Sequence, residues 1–553
     1  MRAIEIGLRF LAANGLKYVF GIPAGSINAL YDALLDLPEL KSIISKHETG
    51  AGYMATSYTR ISGLPSLCVG SSGPGATNLV TAAANAMKEK LPVFFITGSV
   101  PTGKIGKGGA QELNALPLFE SITKYNKMVL YAGELPEIFL EAYHASISGI
   151  PGPVHLSIPI DVQMTEIKSE IPAAIAKPAP VSPSRLELEK VEEHIMKTGN
   201  GGAVLLGHGA KSARSLIVEF AELTGWPVAT TPRGKGAFPE DHSLSLGVYG
   251  LSGNETATEV LNGTSHDTLL VIGSSLGELA TRNWDERLVE GKKLIHIDID
   301  QNEIGKNFIP TFGLAGDAFT VLGKILEKLK GRDRSAFNGS RRSFNTISRK
   351  LSPYSDQFPE WNTKVAIQQI GACAPGNTRF YIDIGEMMTY SINNLCITGG
   401  QDFDIDINFG GMGSGIAGAL GAKLAEPDRP VVCITGDGCF FMHGFEVLTA
   451  KEYNLPIVFV IINNARLGMV YHGHMMQYKR CLDEFSQPRL DIASLADSLG
   501  IQTAQIHSLS DLQPEHIEQW LSSKKPVIVE VVVEGNEIPP MGERVKFLED
   551  AIF

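Results

Sequence analysis

Short runs of β-branched and aromatic residues recur along this chain, each closing on a turn residue and each followed by a helical length. KYVFGIP, KSIISKHE, SLCVGSSGP, PVFFITG and PVHLSIP come first; GGAVLLG, PVATTP, TLLVIG and KLIHIDID follow; TRFYIDIG, RPVVCITGDG, PIVFVIINN and PVIVEVVVE come last. Apolar strands spaced by helices predict parallel sheets covered by crossover helices on both faces. A chain of 553 residues exceeds one hydrophobic core. Two breaks divide it. EIPAAIAKPAPVSPSR holds too much proline for sustained backbone pairing, and KLKGRDRSAFNGSRRSFNTISRK is polar and basic with almost no strand signal. The expected architecture is α/β, three consecutive doubly wound parallel-sheet domains at 1–168, 186–330 and 360–553. GPGATNLVTAAANA and GGMGSGIAGALGAKLA each set a glycine-rich turn before an alanine-rich helix, a hint of a duplicated fold.

The 48 basic and 60 acidic side chains leave a formal charge of −12, which gives no footprint for nucleic acid or an anionic membrane. Six cysteines without C-x-x-C spacing indicate neither a disulfide framework nor a zinc site, so a cytoplasmic location is expected. The opening MRAIEIGLRFLAANG is interrupted by Glu5 and Arg9 and reads as a helix, not a signal peptide. No stretch is apolar enough to read as a membrane span.

Four motifs carry chemistry. GDG (Gly436, Asp437, Gly438) closes one strand and Asn463 and Asn464 close the next, which brings a carboxylate and an amide oxygen to the carboxyl edge of a parallel sheet. These are hard ligands suited to Mg2+ or Ca2+ with phosphate oxygens, although an aspartate at such a turn also reads as a helix cap. Glu48 in SKHETGAGYMA stands where a strand leads into a helix; it is a cap by one reading and a buried acid–base carboxyl by another. GSSGPGATN is an anion-binding turn or a tight junction. Met412, among the glycines of NFGGMGSG, reads first as a core side chain.

Asn464 follows Asp437 by 27 positions (464 − 437), and this pairing resembles the diphosphate anchor of thiamine-diphosphate enzymes. The order of Glu48, GPGATN, GDG and NN is similar to the acetohydroxyacid (acetolactate) synthase large-subunit branch, as are GIPAGSINALYDAL, AQELNALPLFESITKYNK, LIHIDIDQNEIGKN and NNARLGMV. The resemblance implies a pyrimidine-binding, a central and a diphosphate-binding domain. It implies that Glu48 hydrogen-bonds N1′ of the cofactor's aminopyrimidine, so that N4′ can take the proton of thiazolium C2. It further implies Mg2+ held by Asp437, Asn464 and the carbonyl of Arg466, and Met412 as the prop under the bent cofactor. Pro23, Gly73, Pro74, Asn78, Gly385, Glu386, Gly410, Gly436, Gly438, Cys439, Leu467, Gly468 and Met469 line the cofactor by the same resemblance, and Gln111 orients the substrate.

The implied reaction takes a two-carbon unit from pyruvate to a carbonyl acceptor in a homodimer or homotetramer. A decarboxylase that releases free aldehyde and a flavin-dependent pyruvate oxidase are the alternatives. Such synthases also hold FAD, redox-idle, in the central domain, and GHGAKSA and TTPRGKGAF resemble the segments near it, which makes FAD a candidate cofactor. Departures fall on the acceptor side. Gly473 stands where the synthases have tryptophan, Ala110 where they have phenylalanine, and Ser275 or Leu279 where they have the arginine that meets an acceptor carboxylate. These losses predict a larger pocket with less demand for a carboxylate. Glu386 and Met387 replace a Gln-His pair on the diphosphate side.

Overall fold

A computed structural model describes residues 1–176, 181–331, 337, 343–344, 361–542 and 544–546. It contains three six-stranded sheets in which every pair of neighbours is parallel. The N-terminal sheet has β1 (Tyr18–Gly21), β2 (Lys41–Ile44), β3 (Ser66–Gly70), β4 (Val93–Ser99), β5 (Tyr125–Met128) and β6 (Val154–Pro159), in the order 2-1-3-4-6-5. The central sheet has β7 (Gly202–Leu206), β8 (Val228–Thr230), β9 (Ser245–Val248), β10 (Thr268–Ile272), β11 (Lys293–Asp298) and β12 (Phe312–Ala315), in the order 12-11-10-7-8-9. The C-terminal sheet has β13 (Arg379–Ile382), β14 (Asp402–Ile405), β15 (Val431–Gly436), β16 (Ile457–Asn463), β17 (Gln502–Ile506) and β18 (Val527–Val532), in the order 14-13-15-16-18-17.

Subtracting 12 from each label of the last series reproduces the first, so the N- and C-terminal domains share one topology. The central order reverses between β7 and β10, as in dinucleotide-binding sheets. Five strands lacked a sequence signal: β5, β9, β12, β14 and β17. All five are sheet edges. An edge strand packs less of its surface, so its apolar run shortens; in QTAQI of β17 only Ile506 is buried, and in FGLA of β12 only Leu314.

The proline-rich stretch has no regular structure in its described part, and the helix Arg185–Thr198 begins at its end with a capping box of Ser184 and Glu187. The basic stretch begins inside the helix Ala318–Lys330, and most of it lies outside the described residues. Among the described residues no helix is long and apolar enough to cross a membrane, and Cys68, Cys373, Cys433, Cys439 and Cys481 are free thiols.

The N- and C-terminal domains lock together through small residues and buried charge. The helix Glu48–Ser62 lies against the helix Ser414–Ala425 so closely that a Cβ on Gly421 would collide with the Met54 carbonyl. Arg60, buried at that seam, bonds Tyr381, Glu89 and Asp406, and Arg233 of the central domain reaches the same Glu89. All three domains therefore meet at one enclosed ion cluster.

Candidate active site

One half of the site forms in the N-terminal domain. Glu48 opens its helix directly after β2 and takes a hydrogen bond from Asn78 Nδ2 at 2.9 Å. Asn78 rides on the helix Pro74–Lys88, which Gly73 can introduce because it holds φ at +66°. A Cβ on Gly73 would press on the carbonyl of Gln111 at 2.9 Å, and the Ser72 hydroxyl donates to that carbonyl at 2.6 Å. Glu48, Asn78, Gly73, Pro74 and Gln111 thus converge, with Ala110 and Gln111 on an exposed loop and Pro23 exposed just past β1. Glu48 is half-buried in the single chain, not buried as expected, because it starts a helix at the domain rim beside the exposed His47.

The other half forms where β15 and β16 end side by side, with Gly436 in register with Ile462. Asp437 accepts hydrogen bonds from the amides of Gly438 and Ala465, both at 2.8 Å, and Asn464 Oδ1 accepts from the amide of Arg466 at 3.1 Å. Burial pushes the Asp437 carboxyl up to about 6. Glu386, reached through Gly385 at φ +146°, sets its carboxylate 3.4 Å from Asn464 Nδ2, and its second oxygen, buried without a hydrogen bond, lies 3.6 Å from His472 Nε2. Burial, then the Glu537 carboxylate, pushes it up to about 8.

The buried carboxyls of Asp437 and Glu386 and the amide oxygen of Asn464 are hard donors of the kind that suit a divalent cation, whose charge would lower both carboxyl values. The Gln-to-Glu departure therefore adds a carboxylate to this site. A Cβ on Gly468 would collide with the Glu386 carboxylate, which explains the glycine at the start of the helix Gly468–Tyr478.

Met412, Leu467 and Gly438 meet in front of Asp437: a Cβ on Gly438 would lie 3.2 Å from Leu467 Cδ2 and 3.4 Å from Met412 Cε. Gly410, at φ +75°, begins this loop. The Cys439 thiol donates to the Ile384 carbonyl at 2.9 Å and is buried, so Cys439 can offer the site only its backbone; Met469 packs against the C-terminal core. Gly473 does not simply leave space. A Cβ there would touch Met541 Cε at 3.4 Å, so this methionine from the C-terminal segment takes up room in front of the glycine.

Sequence reasoning missed two positioning residues. Asp383 is fully buried and accepts from the amides of Ile384 and Gly413 and from the Thr435 hydroxyl, which holds the Met412 loop against the end of β15. Its only signal is the DIG turn. Glu446 has none. Buried in the C-terminal domain, it accepts from the amides of Lys46 and His47, both at 3.0 Å, and so holds the backbone that presents Glu48. Glu446→Ala should leave two partly buried amides unsatisfied and lower the thermal unfolding midpoint, a cost of about 2 kcal/mol; an unchanged midpoint would contradict this clamp.

Among the described residues no hydrogen bond or ion pair joins the two halves, Glu48 with Asn78 and Gln111 on one side and Asp437 with Asn464 and Glu386 on the other.

Family models for the thiamine pyrophosphate enzymes match all three domains: the N-terminal TPP binding domain over residues 1–118, the central domain over 191–325 and the C-terminal TPP binding domain over 383–531. The "Probable acetolactate synthase large subunit" of Methanocaldococcus jannaschii is 34% identical, covering 98% of this chain and 93% of that protein. The acetolactate synthase isozyme 1 large subunit of Escherichia coli K12 is 30% identical over 97% of this chain and 95% of its own length. In fold, the chain is similar to a solved structure described as a thiamin diphosphate-dependent enzyme from Mycobacterium smegmatis, with a TM-score of 0.81 at 23% identity, covering 96% of this chain and 99% of that one. The chain thus belongs to the thiamine pyrophosphate enzyme family, with acetolactate synthase large subunits among its relatives, and is a thiamine-diphosphate-dependent carboligase.

Proposed function

We propose that the enzyme decarboxylates pyruvate and transfers the two-carbon unit to a carbonyl acceptor, either a 2-ketoacid, giving an acetolactate-type product, or a larger ketone or aldehyde. The observation that carries this reading is the pair of half-sites, one built around Glu48 and Asn78 and the other around Asp437 and Asn464. The units 1–168, 186–330 and 360–553 then serve as pyrimidine-binding, central and diphosphate-binding domains. Bound thiamine diphosphate supplies the carbon nucleophile and the electron sink for decarboxylation. Glu48 shares a proton with N1′ of its aminopyrimidine, and Asn78 aims that carboxyl. The side chains of Asp437 and Asn464 and the Arg466 carbonyl hold Mg2+ against the diphosphate, with Glu386 beside them. Met412 supports the cofactor and Gln111 orients the substrate.

Incubation with pyruvate and a panel of 2-ketoacids, aldehydes and ketones should yield two-carbon adducts and CO2 without oxygen uptake. Free acetaldehyde as sole product, or oxygen consumption in step with pyruvate, would overturn this reading.

A homodimer is the proposed minimum unit, with a homotetramer the larger form. On and just after the short helix that Asp437 begins, Phe441, Met442 and Phe445 are 43%, 56% and 59% exposed, an apolar patch beside the cation site of the kind a second copy covers.

FAD fits the central domain poorly. At the reversal between β7 and β10 the Gly207–Gly209 turn lies directly on Gly273, whose carbonyl accepts from the Gly209 amide at 3.0 Å. The cations beside that edge already meet acids of their own: Lys211 with Asp404, Arg233 with Glu89, and Lys90 with Asp300 and Glu303. A second diphosphate would have to break those pairs. Purified enzyme should therefore show no visible flavin absorbance, and flavin released stoichiometrically on denaturation would refute this.

A further inference from the structure

A cavity of about 520 Å³ opens between the central domain and the C-terminal segment. It abuts the active site, since Met541 on its wall also packs against Gly473, which lies on the helix that follows Asn464. Its chemistry differs from that of a carboxylate pocket. Glu255, Glu259 and Glu278 line it against two guanidiniums, and Arg544 is already paired with Glu278 at 3.1 Å, while Arg282 donates to Thr258 at 2.6 Å. A 2-ketoacid would bring its negative charge to an acid-rich wall.

The same wall holds buried groups that await a neutral polar ligand. Ser252 is 8% exposed and its hydroxyl has no partner, and Asn283 Oδ1 is likewise buried and unpartnered. Leu251, Leu279 and Met541 supply an apolar side against which the carbon skeleton of a hydroxylated ligand can lie. Two residues of the wall are also strained: Arg282 and Asn283 stand at φ +53° and +65°, a conformation that side chains other than glycine adopt at a cost.

We propose that this cavity receives the acceptor and selects an uncharged, hydroxyl-rich carbonyl compound over a 2-ketoacid. The inference rests on the pyruvate-dependent carboligase reading above. In the transfer, the bond from the pyruvate keto carbon to its carboxyl breaks and CO2 leaves. The electron pair left behind forms the new bond to the acceptor's carbonyl carbon, whose oxygen takes one proton; no oxidant or reductant is needed.

Competition in one vessel tests it. Holoenzyme with pyruvate is given equal concentrations of erythrulose, an uncharged hydroxylated ketone, and 2-oxobutanoate, and both adducts are quantified. The erythrulose adduct should predominate. Ser252→Val should lower the ratio of erythrulose adduct to 2-oxobutanoate adduct about tenfold, and Glu278→Arg should lower it at least as far by offering the ketoacid a cation. Because both products come from the same molecules, a poorly folded variant loses both and leaves the ratio in place. Predominance of the 2-oxobutanoate adduct with wild-type enzyme, or ratios that neither substitution moves, would overturn the assignment. If pyruvate gives no two-carbon adduct with any acceptor, a second pyruvate included, the carboligase reading falls and the cavity assignment falls with it; 2-oxobutanoate adduct or acetolactate without the erythrulose adduct sinks only the latter.

Discussion

Glu48→Gln should fold, bind thiamine diphosphate and turn pyruvate over about a hundred- to ten-thousand-fold more slowly than the parent enzyme. The magnitude is that of losing a positioned acid–base group. Glutamine keeps the volume and can still meet Asn78 Nδ2 through its amide oxygen, so the helix start and the Glu446 clamp on Lys46 and His47 stay intact. What goes is the carboxyl that shares a proton with the aminopyrimidine. Asn78→Ala removes only the group that aims the carboxyl at 2.9 Å and should cost about tenfold. Turnover and cofactor binding measured on the same preparations separate the two effects. Near-normal turnover in Glu48→Gln would sink the assignment, and loss of cofactor together with activity would show that Glu48 serves binding, not proton transfer.

The parts of this protein that could be read from sequence are those in which one residue type does one job. Core strands announce themselves because both faces are buried: β15 and β16 are apolar until they end at Asp437 and Asn464, so strand and candidate site were legible together. The edge strands β5, β12 and β17 were hidden for the converse reason, whereas β14 was hidden by its charge. β14 reads DFDI, and its Asp404 is buried only because Arg379 and Lys211 reach it from elsewhere in the fold. Glu446 was equally silent, since its partners are the amides of Lys46 and His47, 399 positions away and more. A backbone donor leaves no trace in composition.

Gly473 shows a different limit. A glycine where the family resemblance implies tryptophan promises an opening, yet the side chain of Met541 decides how much of it is open. Glu386 was visible as a departure, but only the fold shows it buried beside Asn464, where it adds a carboxylate to the candidate cation site.

Asp437→Ala should lose the cofactor by a different route. Removing the carboxylate that accepts from Gly438 and Ala465 leaves two partly buried amides unmet and the diphosphate without its cation, so apparent affinity for thiamine diphosphate should fall by about a hundredfold or more. The two losses become informative when combined. Within one chain the Glu48 and Asp437 halves share no hydrogen bond or ion pair among the described residues, and each lies beside an exposed surface, His47 in one case and the Phe441 to Phe445 patch in the other.

If a dimer completes each site with Glu48 of one protomer and Asp437 of the other, a heterodimer of Glu48→Gln and Asp437→Ala chains carries one doubly damaged site and one intact site. Isolated heterodimers should then recover about half of wild-type activity, although each parent homodimer is nearly inactive. Distinct affinity tags on the two chains allow the heterodimer to be purified and its cofactor content measured, with one tightly bound cofactor per dimer expected. A heterodimer that holds cofactor but recovers no activity would mean that both residues act within a single chain, and the interface would then have to be sought away from the Asp437 helix.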